Sequence, residues 1–250
     1  MKAQTSGGDL SETLKLLWRH TSVEARGKRG PRRSLDVDRI VDAGIQLVDA
    51  EGLDALSMRR LADGLGVSAM TIYTYVPGRA ELIDLMLDHL YATMPRHPWS
   101  DEPWIERVRA VAHNNRQLFM QHRWASEVST LRPVLGPGQL GKYEHELGAF
   151  DGSGLEDTAV DDALTLVLTF VRANARDMAT ALQRSDTDGQ WWAAAGPLLD
   201  ELIDAEEYPL AMRVGQAAGQ SHDSAHDPDH AYEFGLNRLL DALWAMSAQT

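Results

Sequence analysis

The chain has 250 residues, of which 44% are hydrophobic and 24% charged, a balance that supports a packed globular core rather than a disordered or fibrous chain. It has no cysteine, which excludes a disulfide framework, a thiolate zinc site and a cysteine nucleophile together. No run of about 18 apolar residues occurs, and the first residues lack the apolar stretch of a secretory signal, so a soluble cytoplasmic protein without a membrane partner is expected. The net charge of −13 argues against nucleic acid only until it is read by segment. Residues 1–94 carry 12 basic and 13 acidic side chains, and residues 95–250 carry 12 and 24. Within the first part, Lys15, Arg19, Arg26, Lys28, Arg29, Arg32 and Arg33 face one acid, Glu24, a stretch that favours phosphates.

In chain order, residues 9–20 read as a short helix capped by Asp9 or Ser11, followed by the linker-like GKRGPRRS. From Asp36, apolar Val37, Ile40, Val41, Ile45 and Val48 recur at helical spacing until Gly52, a left-handed stop. Ser57 caps a helix to Leu65, Ser68 caps a short one to Tyr75, and Gly78 precedes a helix carrying Leu82, Ile83, Leu85, Met86 and Leu90. Pro95 and Pro98 close this unit, which divides the chain into a basic extension (1–33), a first domain (34–94) and a second (95–250). Further helices are expected from Ser100 to His122, over 139–150, 156–183 and 191–205 with Pro197 as an interruption, and over 229–246. No period-2 pattern competes, so the fold class is all-α. GQSHDSAHDPDH reads as a polar loop.

The segment MRRLADGLGVSAMTIYTYVP (residues 58–77) has the layout of a helix-turn-helix. Ala62 sits where two helices cross, Gly66 occupies a turn that needs positive φ, and Leu61, Leu65, Val67 and Ile72 supply a shared core. These residues, and the longer stretch from Ile40 to Asp88 that contains them, resemble the TetR family of bacterial transcriptional repressors. TLVLTFVRANARDMA and YEFGLNRLLDAL resemble the tetracycline-repressor type of C-terminal domain. The resemblance implies a two-fold dimer that binds double-stranded operator DNA through the first domain and a small-molecule effector in the second. Effector binding would release the operator, with no cofactor and no enzymatic activity.

By position, the resemblance places Ser68, Ala69, Met70, Thr71, Tyr73, Thr74 and Tyr75 on or beside the recognition helix, with Arg59 at the start of the preceding helix and Arg79 just after. Residues 68–75 carry no charge, so phosphate attraction must come from Arg59, Arg60, Arg79 and the basic extension. Arg59 is then the strong guanine reader, and Ala69 and Met70 suit thymine methyls. Ile72 reads as core. Arg26 to Arg33 read equally as a minor-groove arm or as a solvated linker.

In the second domain, Asn115 and His122 fall on the apolar face of the helix that begins at Ser100, with Phe119. Residues 156–183 show two apolar faces, one with Phe170, Asn174 and Asp177 and one with Leu164, Leu168, Val171 and Met178. The family resemblance assigns one burial to a ligand cavity and one to a dimer bundle completed by 229–246, with Leu239 and Leu243 inside it. Asn115, Phe119, His122, Phe170, Asn174 and Asp177 are the ligand-binding candidates. Gly235 permits close approach of a neighbour or is a tolerated surface glycine. Trp124, Trp191 and Trp192 suit core filling better than an aromatic cavity. His222, His226 and His230 have metal-like spacing, but their Gly/Ser/Asp/Pro context reads as a loop, so no metal is expected. Asp161, Asp162, Glu206 and Glu207 lack a placed nucleophile and read as solvated helix faces. A rival reading is an all-α carrier or enzyme whose N-terminal unit reads no DNA.

Overall fold

Three helix starts in the first part of the chain are set by short polar side chains that accept the otherwise unpaired amides of a first turn. Asp36 accepts from the Arg39 amide, Ser57 from Arg60 and Ser68 from Thr71. The computed structural model describes residues 10–21, 35–96, 98–128, 133–183, 188–204, 206–222 and 227–248, and all regular structure among them is helical. The helices are α1 (Leu10–Leu17), α2 (Val37–Glu51), α3 (Met58–Leu65), α4 (Ala69–Tyr73), α5 (Arg79–Thr93), α6 (Trp104–Gln121), α7 (Arg123–Glu127), α8 (Pro137–Leu147), α9 (Asp157–Gln183), α10 (Asp188–Leu202), α11 (Pro209–His222) and α12 (Pro228–Ser247). Short 3-10 turns lie at Leu53–Ala55 and Gly148–Phe150. Among the described residues no helix is long and apolar enough to cross a membrane.

The stops follow the same chemistry. Gly66 holds φ at 68°, where a β-carbon is strained, and its amide closes back on the Ala62 and Asp63 carbonyls. That reversal sets α4 against α3, so Ala62 and Ile72 are both buried, and Ile72 is core as its spacing implied. Elsewhere the boundaries move. The helix expected from Ser100 begins at Trp104, because Pro103 supplies a fixed φ at the entry. The chain runs helical through Pro197, and α7 and α11 have no counterpart in the periodicity: α7 is one turn long, and α11 is exposed almost throughout, so no apolar face marks it. The expected loop from Gly219 begins inside α11.

Ile40, Ile45, Leu61, Ile72, Leu82 and Met86 close the core of α2 to α5, and Val108, Val111, Leu164, Val167, Tyr232, Leu236 and Leu240 that of α6, α9 and α12. Each such side chain contributes about 1.5–3 kcal/mol relative to exposure. Gly235 lies where a β-carbon would stand 2.6 Å from the Phe170 ring, so it admits α9 closely to α12. Leu243 is buried in the same intrachain core, not free for a second copy. The two units meet where α5 packs on α8. α1 adds a brace: the Trp18 indole donates to the Leu135 carbonyl, and Arg19 and His20 contact Asp38 on α2. Lys15 pairs with Glu12. The stretch 22–34, including Arg26 to Arg33, lies outside the described residues.

At the α5–α8 contact Asp88 accepts the Gln139 amide at 2.9 Å, and burial raises its carboxyl above the ordinary range despite that bond. A carboxyl raised in the folded state contributes stability that is present below its unfolded value of 3.8 and lost as pH rises through the folded value. Asp88→Asn keeps an acceptor and removes the charge. The variant is therefore expected to gain melting temperature relative to the wild type as pH rises from 4 to 7, checked by thermal denaturation at both ends.

Candidate functional site

α3 and α4 present one exposed surface to solvent. Met70 is 72% exposed and Tyr73 47%, and Arg59, Ser68 and Thr74 are exposed beside them. Three hydroxyls are tied locally: Ser68 caps the Thr71 amide and contacts the Thr71 hydroxyl at 2.9 Å, while Thr74 donates to the Thr71 carbonyl at 2.7 Å. Ala69 and Tyr75 are half-buried against the core, which leaves Tyr75 less free than its position suggested. Arg60 pairs with Glu51 of α2. Arg79 is placed differently from expectation. Its Nε and Nη2 donate to the Leu56 and Leu53 carbonyls, both at 2.9 Å, so the guanidinium pins the 3-10 turn ahead of α3 and is half-buried there, not held out toward a phosphate.

Against α5 of the first unit, α6, α7, α8 and α9 of the second line a partly open cavity of about 560 Å³, a size that suits a drug-sized molecule. Asn115 and Phe119 line it, together with Tyr91, Lys142, Tyr143, Leu168, Arg172 and Arg176. Lys142 donates to Glu146 at 2.6 Å with both side chains buried, and burial pushes its ammonium down although Glu146 opposes the shift. Asn115 Nδ2 donates to the Val111 carbonyl and to Glu146. Burial also raises the Tyr91 hydroxyl. Tyr143 donates to Asp161 at 2.7 Å, and Asp161 is exposed on α9, the solvated face its context suggested.

The other four ligand candidates lie outside this cavity. Phe170 stacks on Tyr232 of α12, with ring centroids 5.9 Å apart. Asn174 accepts from Arg116 and donates to the Pro228 carbonyl, joining α6, α9 and α12. Asp177 is exposed. His122 terminates α6 and its Nδ1 meets Asp49 of α2 at 2.9 Å, where the buried Trp124 indole also donates. The cause is one of phase: α9 turns its 164–165–168–169–172–176 row to the cavity and its Phe170–Asn174 row to α12. A polar row Thr165, Thr169, Arg172 and Arg176 within an apolar helix was the signal in the sequence. Lys142 and Glu146, at i and i+4 on α8, have the spacing of an ordinary surface pair and carried no such signal.

Trp124 is core, as its size suggested, Trp191 is 54% exposed on α10, and the side chain of Trp192 lies outside the described residues. His226 is likewise outside them; His222 ends α11 and His230 lies in the first turn of α12 beside Phe234. Glu206 and Glu207 are exposed. Among the described residues no group of three or more metal-ligating side chains converges.

An exposed helix-turn-helix joined to a larger helical unit with an internal cavity defines the class of DNA-binding transcriptional regulators. Residues 40–86 match the family described as bacterial regulatory proteins, tetR family, and residues 97–247 match the tetracyclin repressor-like C-terminal domain. The HTH-type transcriptional repressor DrrR1 of Streptomyces coeruleorubidus is 37% identical over 253 residues, covering 98% of this chain and 90% of that protein. Apo ActR from Streptomyces coelicolor superposes with a TM-score of 0.73 at 29% identity, covering 87% of this chain and 99% of that one. ActR in complex with actinorhodin superposes at 0.70 and 30%, covering 84% and 96%. The chain belongs to the TetR family of bacterial transcriptional regulators.

Proposed function

We propose that this regulator is a cytoplasmic repressor that binds a palindromic operator as a homodimer, with residues 34–94 reading DNA and 95–250 holding the effector and the dimer interface. A small molecule in the cavity releases it. One observation carries the reading: Tyr91 belongs to α5, the last helix of the DNA-binding unit, and also lines the cavity, so an occupant touches the unit that must move. A ligand shifts such an equilibrium only through different contacts in the two states, and a shared wall provides them. The repressor name of DrrR1 and the actinorhodin complex of ActR support repression and ligand response. Exposed Phe234 and Trp244 on α12 and Leu166 on α9 support a second copy against that face, in place of Leu243.

Gel-shift titration against the DNA flanking the chain's own gene tests the reading. A palindrome with half-sites about one helical turn apart is expected to bind one dimer. Arg59→Ala is expected to weaken binding by about 1–3 kcal/mol for each base edge it no longer reads, and to relax preference at one base position in each half-site. Failure to bind any of that DNA favours the carrier reading. Sedimentation of a monomer at micromolar concentration, with no dimer on DNA, would reject the two-fold assembly.

A further inference from the structure

Three arginines flank the entry to α3, and two of them are engaged within the protein. Arg60 pairs with Glu51 of α2, while Arg79 donates from Nε to the Leu56 carbonyl and from Nη2 to the Leu53 carbonyl, both at 2.9 Å. Arg59 is exposed in the first turn of α3. Residues 68–75 carry no charge, so Arg59 is the cation nearest to the exposed hydroxyls of α4 in the sequence that stands out toward solvent.

The two bonds of Arg79 join distant parts of the chain. Arg79 opens α5, and its acceptors lie 23 and 26 residues earlier, in the turn that leads into α3. Leu56 and Leu53 are 3% and 7% exposed, so their side chains hold that turn in the core while the guanidinium fastens its carbonyls. Leu56 immediately precedes Ser57, whose hydroxyl accepts the Arg60 amide and whose carbonyl accepts the Leu61 amide. The Leu56 carbonyl and the Ser57 amide share one peptide plane, so a fixed carbonyl orients the cap and the first turn of α3, where Arg59 sits. Only a planar guanidinium meets two carbonyls in fixed directions; the ammonium of a lysine is a single point charge on a flexible stem.

Resting on the reading of α3 and α4 as the DNA-binding face, we propose that Arg79 is a positioning residue for sequence discrimination. It acts on DNA through the placement of α3 and not by contact with a phosphate. Bases follow one another every 3.4 Å or about that along a strand, so a small displacement of α3 changes which base edge Arg59 meets. Attraction to phosphates depends on charge and survives such a displacement.

Fluorescence anisotropy on the full-length wild type, Arg79→Gln and Arg79→Lys tests this, with the DNA flanking the chain's own gene and an unrelated duplex, over about 50–200 mM salt. Stoichiometric titration gives the active fraction of each protein. In both variants the ratio of flanking to unrelated affinity is expected to fall at least about tenfold. Affinity for the unrelated duplex is expected to stay within about threefold, and the slope of log affinity on log salt to stay unchanged. Arg79→Lys keeps the charge and is expected to give no rescue. A phosphate contact predicts the opposite pattern, with a slope shallower by about 0.9 for each phosphate lost in Arg79→Gln and near wild-type behaviour in Arg79→Lys. A role in overall stability alone would lower the active fraction and leave the ratio as it is. Either of those patterns would overturn the proposal. Wild-type binding of flanking DNA no tighter than of the unrelated duplex would overturn the DNA-binding face itself, and the role of Arg79 with it.

Discussion

Lys142→Met is expected to lower stability by about 3–5 kcal/mol, because removal of one partner leaves a buried charge uncompensated. For a chain of this length that corresponds to roughly 6–20 °C in melting temperature. The side chains of Lys142 and Glu146 are 6% and 4% exposed, so water cannot take the place of the missing ammonium. Among the described residues, Asn115 would remain as the hydrogen-bond donor to the Glu146 carboxylate. Lys142→Met/Glu146→Leu removes both charges and is expected to recover most of the loss. The pair also gives stability a slope with pH. Burial depresses the lysine in the folded state, so its stabilising contribution is present above the unfolded value of 10.5 and is lost as pH falls through the depressed one. Wild-type stability attributable to this group therefore rises with pH in that window, and the double variant should lack the rise. Thermal melts of the three proteins between pH 7 and 10 check both effects; a single variant that melts like the wild type would show that the pair is hydrated.

Asp49→Ala is expected to leave ligand affinity without DNA unchanged and to abolish most of the ligand's effect on operator binding. The physical route is short. Arg176, on the cavity wall, donates from Nε to the Ser126 carbonyl of α7. Beside it, Trp124 of α7 donates to Asp49 at 2.9 Å, and His122 meets the same carboxylate. Asp49 belongs to α2, in the DNA-binding unit. An occupant that draws Arg176 inward thus shifts the turn that grips α2. A typical allosteric coupling of about 1–3 kcal/mol amounts to roughly 5–150-fold in operator affinity, and reciprocity requires DNA to weaken ligand binding by the same factor. In Asp49→Ala that factor is expected to approach one. Ligand titrations with and without operator measure it, and a wild-type factor in the variant would place the coupling in the α5–α8 contact instead.

The local grammar of the first unit was readable residue by residue. Asp36, Ser57 and Ser68 cap helices because their oxygens lie within one turn of unpaired amides, and Gly52 and Gly66 end helices because positive φ is strained for any other side chain. Such signals act over three or four residues, so sequence alone located α2 to α5 and the exposed face of α3 and α4. The second unit was legible as helices and only partly as a site. Asn115 and Phe119 reached the cavity because their helix has one apolar face, but α9 has two on nearly opposite sides, and the orientation of its axis decides whether Phe170 or Leu168 faces inward. Periodicity gives the angle between side chains on one helix and carries no information on which neighbour stands opposite each face. Arg79, Asp49 and Lys142 show the same division. Their partners are the Leu53 and Leu56 carbonyls, Trp124 and Glu146 with Asn115 behind it, and most of these are distant in the chain. The sequence by itself determined an all-α regulator of the TetR type with the exposed face of α3 and α4 in place; which charges line the cavity, and which residues join it to the first unit, was decided only by tertiary packing, because burial and pairing depend on what the rest of the chain brings alongside.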